Sequence, residues 1–231
     1  MTKKENNHEL FKFMVDKGCI KQKVYNNTFD TLNLIKKVLM ELAKEYNKDD
    51  IKSEFQIPFE YKDKGEFEAE LKYSGDVLIF MMHTNVFEFP KDHFLQNTSY
   101  VKEDSAMSFC GVINIFNFLG DSLKYRRIND VGYLIGRIFV NIDKHYYIDG
   151  KRELRLIPNN FVDTLIDEKK VREIIESAIR YTIDFDLLVP PYDQIKEVTV
   201  HEILSTLDTM TIKTGKRLGF KFQEDIDDLD K

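Results

Sequence analysis

The sequence has few of the residues that indicate a specialised class of protein. It contains two cysteines, five prolines and no tryptophan in 231 residues. Cys19 and Cys110 lie far apart and outside any CxxC motif, so neither a disulfide framework nor a zinc site is expected. The longest uninterrupted apolar run, Val77–Met82, is much shorter than the ~20 residues of a membrane helix, and no signal segment opens the chain. We therefore predict a cytoplasmic protein with free thiols and no membrane partner.

The common signatures of cofactor binding and catalysis are also missing. The ten glycines form no GxGxxG or GxxxxGK[ST] loop, and no GxSxG or HExxH motif occurs. We accordingly predict no cofactor, no metal ion and no catalytic residue, and we favour binding over catalysis. The formal net charge of −6 argues against nucleic acid as a partner.

Aromatic residues are the one compositional excess. Eighteen phenylalanines and eleven tyrosines bring the aromatic content to 13%. One interpretation is a phenylalanine-rich core with tyrosines at its wet margin. The other is an aromatic, concave sheet face that receives a peptide or an apolar ligand.

The first half of the chain predicts two helices followed by a meander of strands. Apolar spacing indicates a helix over Thr28–Tyr46 that Thr28 caps, after a shorter helix over Glu9–Val15 that Gly18 ends. Alternation then predicts three antiparallel strands. The first, Phe55–Tyr61, is an edge strand that Pro58 interrupts. The second runs over Phe67–Tyr73, and the third is a central strand over Val77–Phe89.

The second half is less uniform. Phe109–Leu123 has strand-like composition, but its polar residues fall on one helical face, and we favour a helix there. Tyr133–Ile148 is strand-like, and Asp149-Gly150 predicts the turn of a hairpin that returns through Leu154 and Leu156. A helix capped by Asp167 follows and runs to Thr182. Beyond Pro190, a helix from Thr199 and an acidic tail are expected.

This element order predicts an α+β protein, with an antiparallel meander sheet flanked by N- and C-terminal helices and a small C-terminal appendage. The predicted organisation is an N-terminal helical segment over 1–27, an α+β core domain over 28–189, and an appendage with an acidic tail over 190–231.

The order resembles the type III secretion chaperone-like fold. The residues that carry the resemblance are Thr28–Tyr46, Phe55–Phe89, Gly136–Leu156 and Asp167–Thr182, about two-thirds of the chain. The resemblance lies in element order and acidic balance, and the C-terminal appendage departs from it. It implies a small acidic protein that dimerises and holds another protein in a non-globular state.

Two groups of residues are candidate binding sites. Asp143, His145, Tyr147 and Asp149 alternate along one predicted strand face, where carboxylates can tune an imidazole, although a polar outer face of a hairpin explains them too. The strand of Phe67, Leu71 and Tyr73 is the candidate for pairing with an added strand. The polar face of Asp143–Asp149 and the strand of Phe67–Tyr73 are thus two alternative binding surfaces.

We predict from these features a protein-binding module, chaperone-like or an adaptor, that uses a sheet edge or face. A second copy of the chain is an alternative partner. The competing hypothesis is a small-molecule-binding protein, or an unrecognised hydrolase, with a pocket between the sheet and the helices.

Overall fold

The computed structural model describes residues 3–49, 54–151, 154, 157, 161–185, 187–189, 191–197, 199–200 and 215–216. Within them, the helices are α1 (Lys3–Lys48), α2 (Ser99–Glu103), α3 (Gly120–Lys124), α4 (Glu168–Ile183) and α5 (Tyr192–Ile195). The strands are β1 (Phe59–Asp63), β2 (Glu68–Tyr73), β3 (Asp76–Glu88), β4 (Phe109–Leu119), β5 (Tyr133–Asn141), β6 (Tyr146–Gly150), β7 (Leu187–Leu188) and β8 (Gly215–Lys216).

Strands β1 to β6 form one antiparallel sheet in sequence order. Such a meander needs only short connections, and the longest, between β3 and β4, contains α2 and two single-turn 3₁₀ helices. The long N-terminal helix and α4 flank the sheet. The prediction of an α+β protein built on an antiparallel meander is confirmed.

One face of the sheet packs against α1 and α4 and forms the main core. Because side chains alternate along a strand, every second residue of β2 to β6 points to this face. Leu32, Ile35 and Leu39 of α1 are fully buried there, as are Ile174 and Ile175 of α4. We call the opposite side of the sheet the open face.

The N-terminal helix is one continuous element, which corrects the prediction of two. Gly18 lies in its interior, where glycine costs only about 1 kcal/mol relative to alanine. Thr28 does not cap a helix. Its Oγ1 donates a hydrogen bond to the carbonyl of Val24 one turn earlier, at 2.8 Å. The helix therefore runs across the predicted boundary between residues 27 and 28.

A glycine of β4 allows the helix to lie directly on the sheet. A Cβ atom at Gly111 would stand 2.0 Å from Thr28 Oγ1 and 2.7 Å from its Cβ. Nearby, Asn27 Nδ2 donates to the carbonyls of Asn141 and Ile142, at 3.1 and 2.7 Å. These contacts fix the central part of α1 over the ends of β4 and β5.

The segment Phe109–Leu123 is a strand followed by a short helix, so the prediction of a helix there is wrong. The strands β3 and β5 pair with β4 on both sides, which satisfies its backbone. Its polar residues are accommodated within the sheet. Asn117, for example, is fully buried and donates to Asp76 Oδ1 at 3.1 Å.

The hairpin of β5 and β6 turns earlier than predicted. The turn lies at 142–145, where Lys144 has a φ of 64°, and Asp149-Gly150 belongs to β6. Asn141 builds this turn, because its Oδ1 accepts hydrogen bonds from the amides of Asp143 and His145, at 3.0 and 2.9 Å. The prediction from the Asp-Gly pair was therefore wrong.

One edge of the sheet is β1, as the position of Pro58 predicted, although this strand begins only at Phe59, and the other edge is β6. The strand β2 lies between β1 and β3 and is paired on both sides. It has no free edge, so the expectation that Phe67–Tyr73 would accept an added strand is corrected.

The predicted helix after Asp167 is confirmed. The side chain of Asp167 accepts a hydrogen bond from the amide of Lys170 at 2.7 Å, as an N-cap does. At the other end of α4, Thr182 forms a buried hydrogen bond with the hydroxyl of Tyr73 in β2. This contact joins the helix to the sheet.

The appendage is described only in part. Its strand β8 pairs with β7, which precedes Pro190. Residues 201–210, which carry most of the helix predicted from Thr199, and the acidic tail lie outside the described residues. No helix within the described ranges combines the length and apolar character that a membrane span requires.

Candidate functional site

The open face carries a groove of about 450 Å³. Its floor comes from β3 to β6, and one wall comes from the chain that leaves β3 at Glu88 and returns to β4. The residues that line it are His83, Phe87, Glu88, Phe89, Pro90, His93, Cys110, Val112, Asn114, Arg137, Phe139, Tyr147 and Asp149. We call this the open-face groove. Its volume lies within the range of ligand-binding clefts.

Alternation along the strands explains why these residues meet. His83, Val112, Phe139 and Tyr147 stand opposite one another on four successive strands. A second cluster of buried apolar residues, separate from the main core, supports the wall. In it Phe89 packs against Phe139 with 5.0 Å between ring centroids. The groove is therefore a preformed, largely aromatic surface.

Two histidines line the groove and are held in the same way. Nδ1 of His83 accepts a hydrogen bond from the amide of Asn85 at 3.1 Å, and Nδ1 of His93 accepts one from the amide of Leu95 at 3.4 Å. In the neutral imidazole this leaves the proton on Nε2. Each ring also packs on a phenylalanine, His83 on Phe87 and His93 on Phe89.

An ion pair lies on the same floor. Asp149 Oδ2 accepts hydrogen bonds from Arg137 Nε, at 3.0 Å, and from Nη2. The guanidinium also stands 5.3 Å from the centroid of the Phe139 ring. Because Asp149 neutralises Arg137 and Glu88 adds a further carboxylate, the groove has a negative balance of formal charge.

The thiol of Cys110 is not available as a nucleophile in this groove. It is 1% exposed, and burial raises the pKa of Cys110, which keeps the sulfur protonated at neutral pH. Among the described residues, no cluster of histidine, cysteine and carboxylate side chains could hold a metal ion. The arrangement is suited to bind an apolar group flanked by polar or cationic ones.

The predicted quartet of Asp143, His145, Tyr147 and Asp149 is divided between two places. Tyr147 and Asp149 line the groove, whereas Asp143 and His145 belong to the turn before β6. There, Asp143 accepts a hydrogen bond from the hydroxyl of Tyr100 at 3.1 Å. The four residues therefore do not form one face of a strand.

His145 has partners that hold the turn in place. Its Nδ1 lies 2.8 Å from the carbonyl of Phe161, to which it can only donate, so this nitrogen carries the proton. Its ring stacks on Tyr100 with 4.9 Å between centroids. Partial burial raises the pKa of Tyr100 to about 12, so the phenol stays neutral and donates to Asp143.

The second predicted group lies on the helix side of the sheet. Leu71 is 0% and Tyr73 2% exposed, and Phe67 is half-buried against the main core. Their alternation reflects burial under α1 and α4. In this structure a partner protein does not reach Leu71 or Tyr73.

A surface that the sequence interpretation missed lies on α1. The helix extends past the sheet at its N-terminus, and five large apolar side chains there are more than half exposed. Phe13 is the most exposed of them, at 65%, and Val15 the least, at 54%. We call this set the apolar arc; its members are Leu10, Phe11, Phe13, Met14 and Val15. No described part of the chain covers it.

Two members of the arc, Leu10 and Phe13, continue the buried stripe of the same helix. Leu10, Phe13, Lys17 and Ile20 follow the alternating spacing of three and four residues that leads to buried Val24. At Lys17 the helix is still beside the sheet, because Nζ lies 5.5 Å from the Phe109 ring at the start of β4. The residues before Lys17 project by about 20 Å at 1.5 Å per residue.

The basic residues of this part of α1 lie where the helix reaches the sheet. The projecting residues 3–16 contain three lysines and three acidic residues, so they carry no net formal charge. Lys17, Lys21 and Lys23 follow and add three positive charges at the base of the projection. Since the formal net charge of the whole chain is −6, the residues after Lys23 carry −9.

Comparison with protein-family models, with curated proteins and with solved structures finds no match for this chain.

Proposed function

We propose that this protein is a protein-binding module, of chaperone-like or adaptor type, that binds through the apolar arc of its projecting helix. The exposure of the arc is the observation that carries this proposal. Given about 200 Å² for each fully exposed side chain of this size, the arc presents about 600 Å². That is the upper end for an apolar patch on a monomer, and patches of such size are often interaction sites.

The energetics favour a partner. At about 25 cal/mol per Å², covering half of the arc would contribute several kcal/mol to binding. The fold does not need the arc. The residues of α1 that are buried against the sheet come after the arc in the sequence. The arc therefore supports recognition rather than the core, and helix-in-groove binding is the mode that fits an amphipathic helix end.

The proposal is tested with tagged protein and two variants. Phe13→Glu places a charge within the arc, and Ile128→Glu does the same at a site that is 90% exposed and far from it in sequence. A protein captured from native lysate is identified, purified and titrated against all three. We expect binding to wild type and Ile128→Glu, and at least tenfold weaker binding to Phe13→Glu.

Two results would contradict the proposal. One is an eluate that contains neither another protein nor an untagged copy of this chain, at every concentration of bait. The other is a captured protein that binds Phe13→Glu as tightly as it binds the wild type. Circular dichroism of both variants establishes that they remain folded.

The open-face groove supports a second candidate function, the binding of a small molecule. Its volume and its aromatic lining with a few polar groups, such as Asn114, His93 and Arg137, are typical of ligand clefts. It lies on the face away from the helices rather than between sheet and helices. A thermal-shift screen checks this candidate: a ligand should raise the melting temperature of wild type but not of Asn114→Leu. A screen without any shift would count against it.

A further inference from the structure

We propose that the partner of the apolar arc is a second copy of this chain, and that the arc of each copy binds in the open-face groove of the other. This inference rests on the proposed function and names its partner. It also places the arc and the groove, two exposed apolar surfaces within the described residues, against each other.

The chemistry of the two surfaces is complementary. Both are apolar, the arc through Leu10 and Phe13 on one side of the helix and the groove through Phe87, Phe89 and Phe139. Lys17, Lys21 and Lys23 add three positive charges at the base of the projection, whereas the groove includes two carboxylates and one arginine. These lysines therefore fit the acidic groove of another copy better than they fit the lysines of a second helix.

The positions of the arc and the groove allow both arc–groove contacts to form within one symmetric dimer. The helix leaves the sheet beside Phe109, at the end where Glu88 and Cys110 also lie, and the groove is on the opposite face of that same end. A two-fold axis at this end would set the two sheets end to end with opposite faces up. Each projecting helix then crosses onto the open face of the other copy.

The dimensions agree with this arrangement. The projection of about 20 Å exceeds the ~14 Å from Cys110 to Asn114 along the groove floor, at 3.4 Å per residue. Covering half of each arc buries about 600 Å² over the two arcs, and the facing groove surfaces add about as much again, which together reach the lower limit of stable interfaces. A volume of 450 Å³ accommodates two or three large side chains.

The test uses one arc variant, Phe13→Glu, and one groove variant, Phe87→Lys, with Ile128→Glu as the control at a distant exposed site. Phe87 is 41% exposed, so its replacement does not open the core. His83→Lys, at another exposed position of the groove, is a second groove variant in case Phe87→Lys fails to fold. Sedimentation velocity measures the mass of each protein alone and of equimolar mixtures.

We expect dimers of the wild type and of Ile128→Glu, and monomers of the arc and groove variants. A mixture of the arc variant with the groove variant should form a heterodimer, because one intact arc and one intact groove remain. Its affinity should be roughly 10²-fold or more below that of the wild type, since the second contact of the wild type forms within the complex.

Three results would overturn the inference. A wild type that stays monomeric at high concentration excludes the second copy, and arc-dependent capture of another protein would then leave the proposed function standing. A dimer that is lost in Phe13→Glu but persists in both groove variants would mean that the arc binds a surface other than the groove. A mixture that stays monomeric would show that arc and groove do not bind each other.

Discussion

The two parts of α1 have the same kind of sequence but opposite surroundings. In the part that lies on the sheet, Leu32, Ile35 and Leu39 are 0% exposed. In the projecting part, Leu10 and Phe13 are 60% and 65% exposed. Both parts are amphipathic and belong to one uninterrupted helix. The comparison shows that apolar spacing indicates a face that requires cover, but not whether the same chain supplies it.

Continuity explains why the projecting part is helical without a neighbour. An isolated helix of 14 or so residues is marginal in water, because forming its first turn is unfavourable. Here the helix is already formed on the sheet, and the projection only extends it. A docked helix can therefore present an apolar arc in a fixed conformation, which lowers the entropic cost of binding.

The largest expected difference between the two parts comes from matched leucine truncations. Leu39→Ala removes a fully buried side chain and should lower the free energy of unfolding by about 2–5 kcal/mol. Leu10→Ala removes an exposed one and should change it by less than about 0.5 kcal/mol at a dilution where the protein is monomeric. Urea denaturation measures both. Equal losses would show that the projecting part is packed against the body.

A pair of glycine substitutions should give a smaller difference. Gly111→Ala places a Cβ against Thr28 and should destabilise the protein by about 1–3 kcal/mol, because α1 must move off the sheet. Gly18→Ala, in the same helix but with nothing within 4 Å of the added atom, should stabilise the helix by up to about 1 kcal/mol. A neutral Gly111→Ala in the same denaturation assay would contradict the close approach.

A pH titration should show the smallest effect, and it concerns a residue of the main core that α1 covers. Burial raises the pKa of Tyr73 above its ordinary value, so the folded state holds the phenolic proton more tightly than the unfolded state. The resulting stability is complete below about pH 10 and declines as the pH rises further. Tyr73→Phe should make the decline above about pH 10 shallower. Identical slopes for Tyr73→Phe and wild type would refute this assignment.

The fold was predictable where local pattern and tertiary context agree. Alternation identified β2 and β3, and Asp167 identified the start of α4. Alternation did not identify β4, because Asn114 and Asn117 have the spacing of a polar helical face. In the sheet the side chain of Asn117 donates a hydrogen bond to Asp76, a partner that lies 41 residues away in the sequence. Pairing of this kind is invisible to a local pattern.

The candidate site was predictable only in part. Tyr147 and Asp149 line the groove because they alternate along β6, whereas the turn built by Asn141 separates Asp143 and His145 from them. Leu71 and Tyr73 alternate as a binding face would, but the helices cover that side of the sheet. His93 reaches the groove from the connection between β3 and β4, which has no periodic signal.

Hydrogen exchange of the wild-type protein at low and high concentration tests the central claim most directly. The amides of residues 32–39 should be protected at both concentrations, since the sheet covers them. The amides of residues 10–15 should exchange fast at low concentration and slowly at high concentration, as a second copy covers the arc. Fast exchange of residues 10–15 at both concentrations would contradict the account.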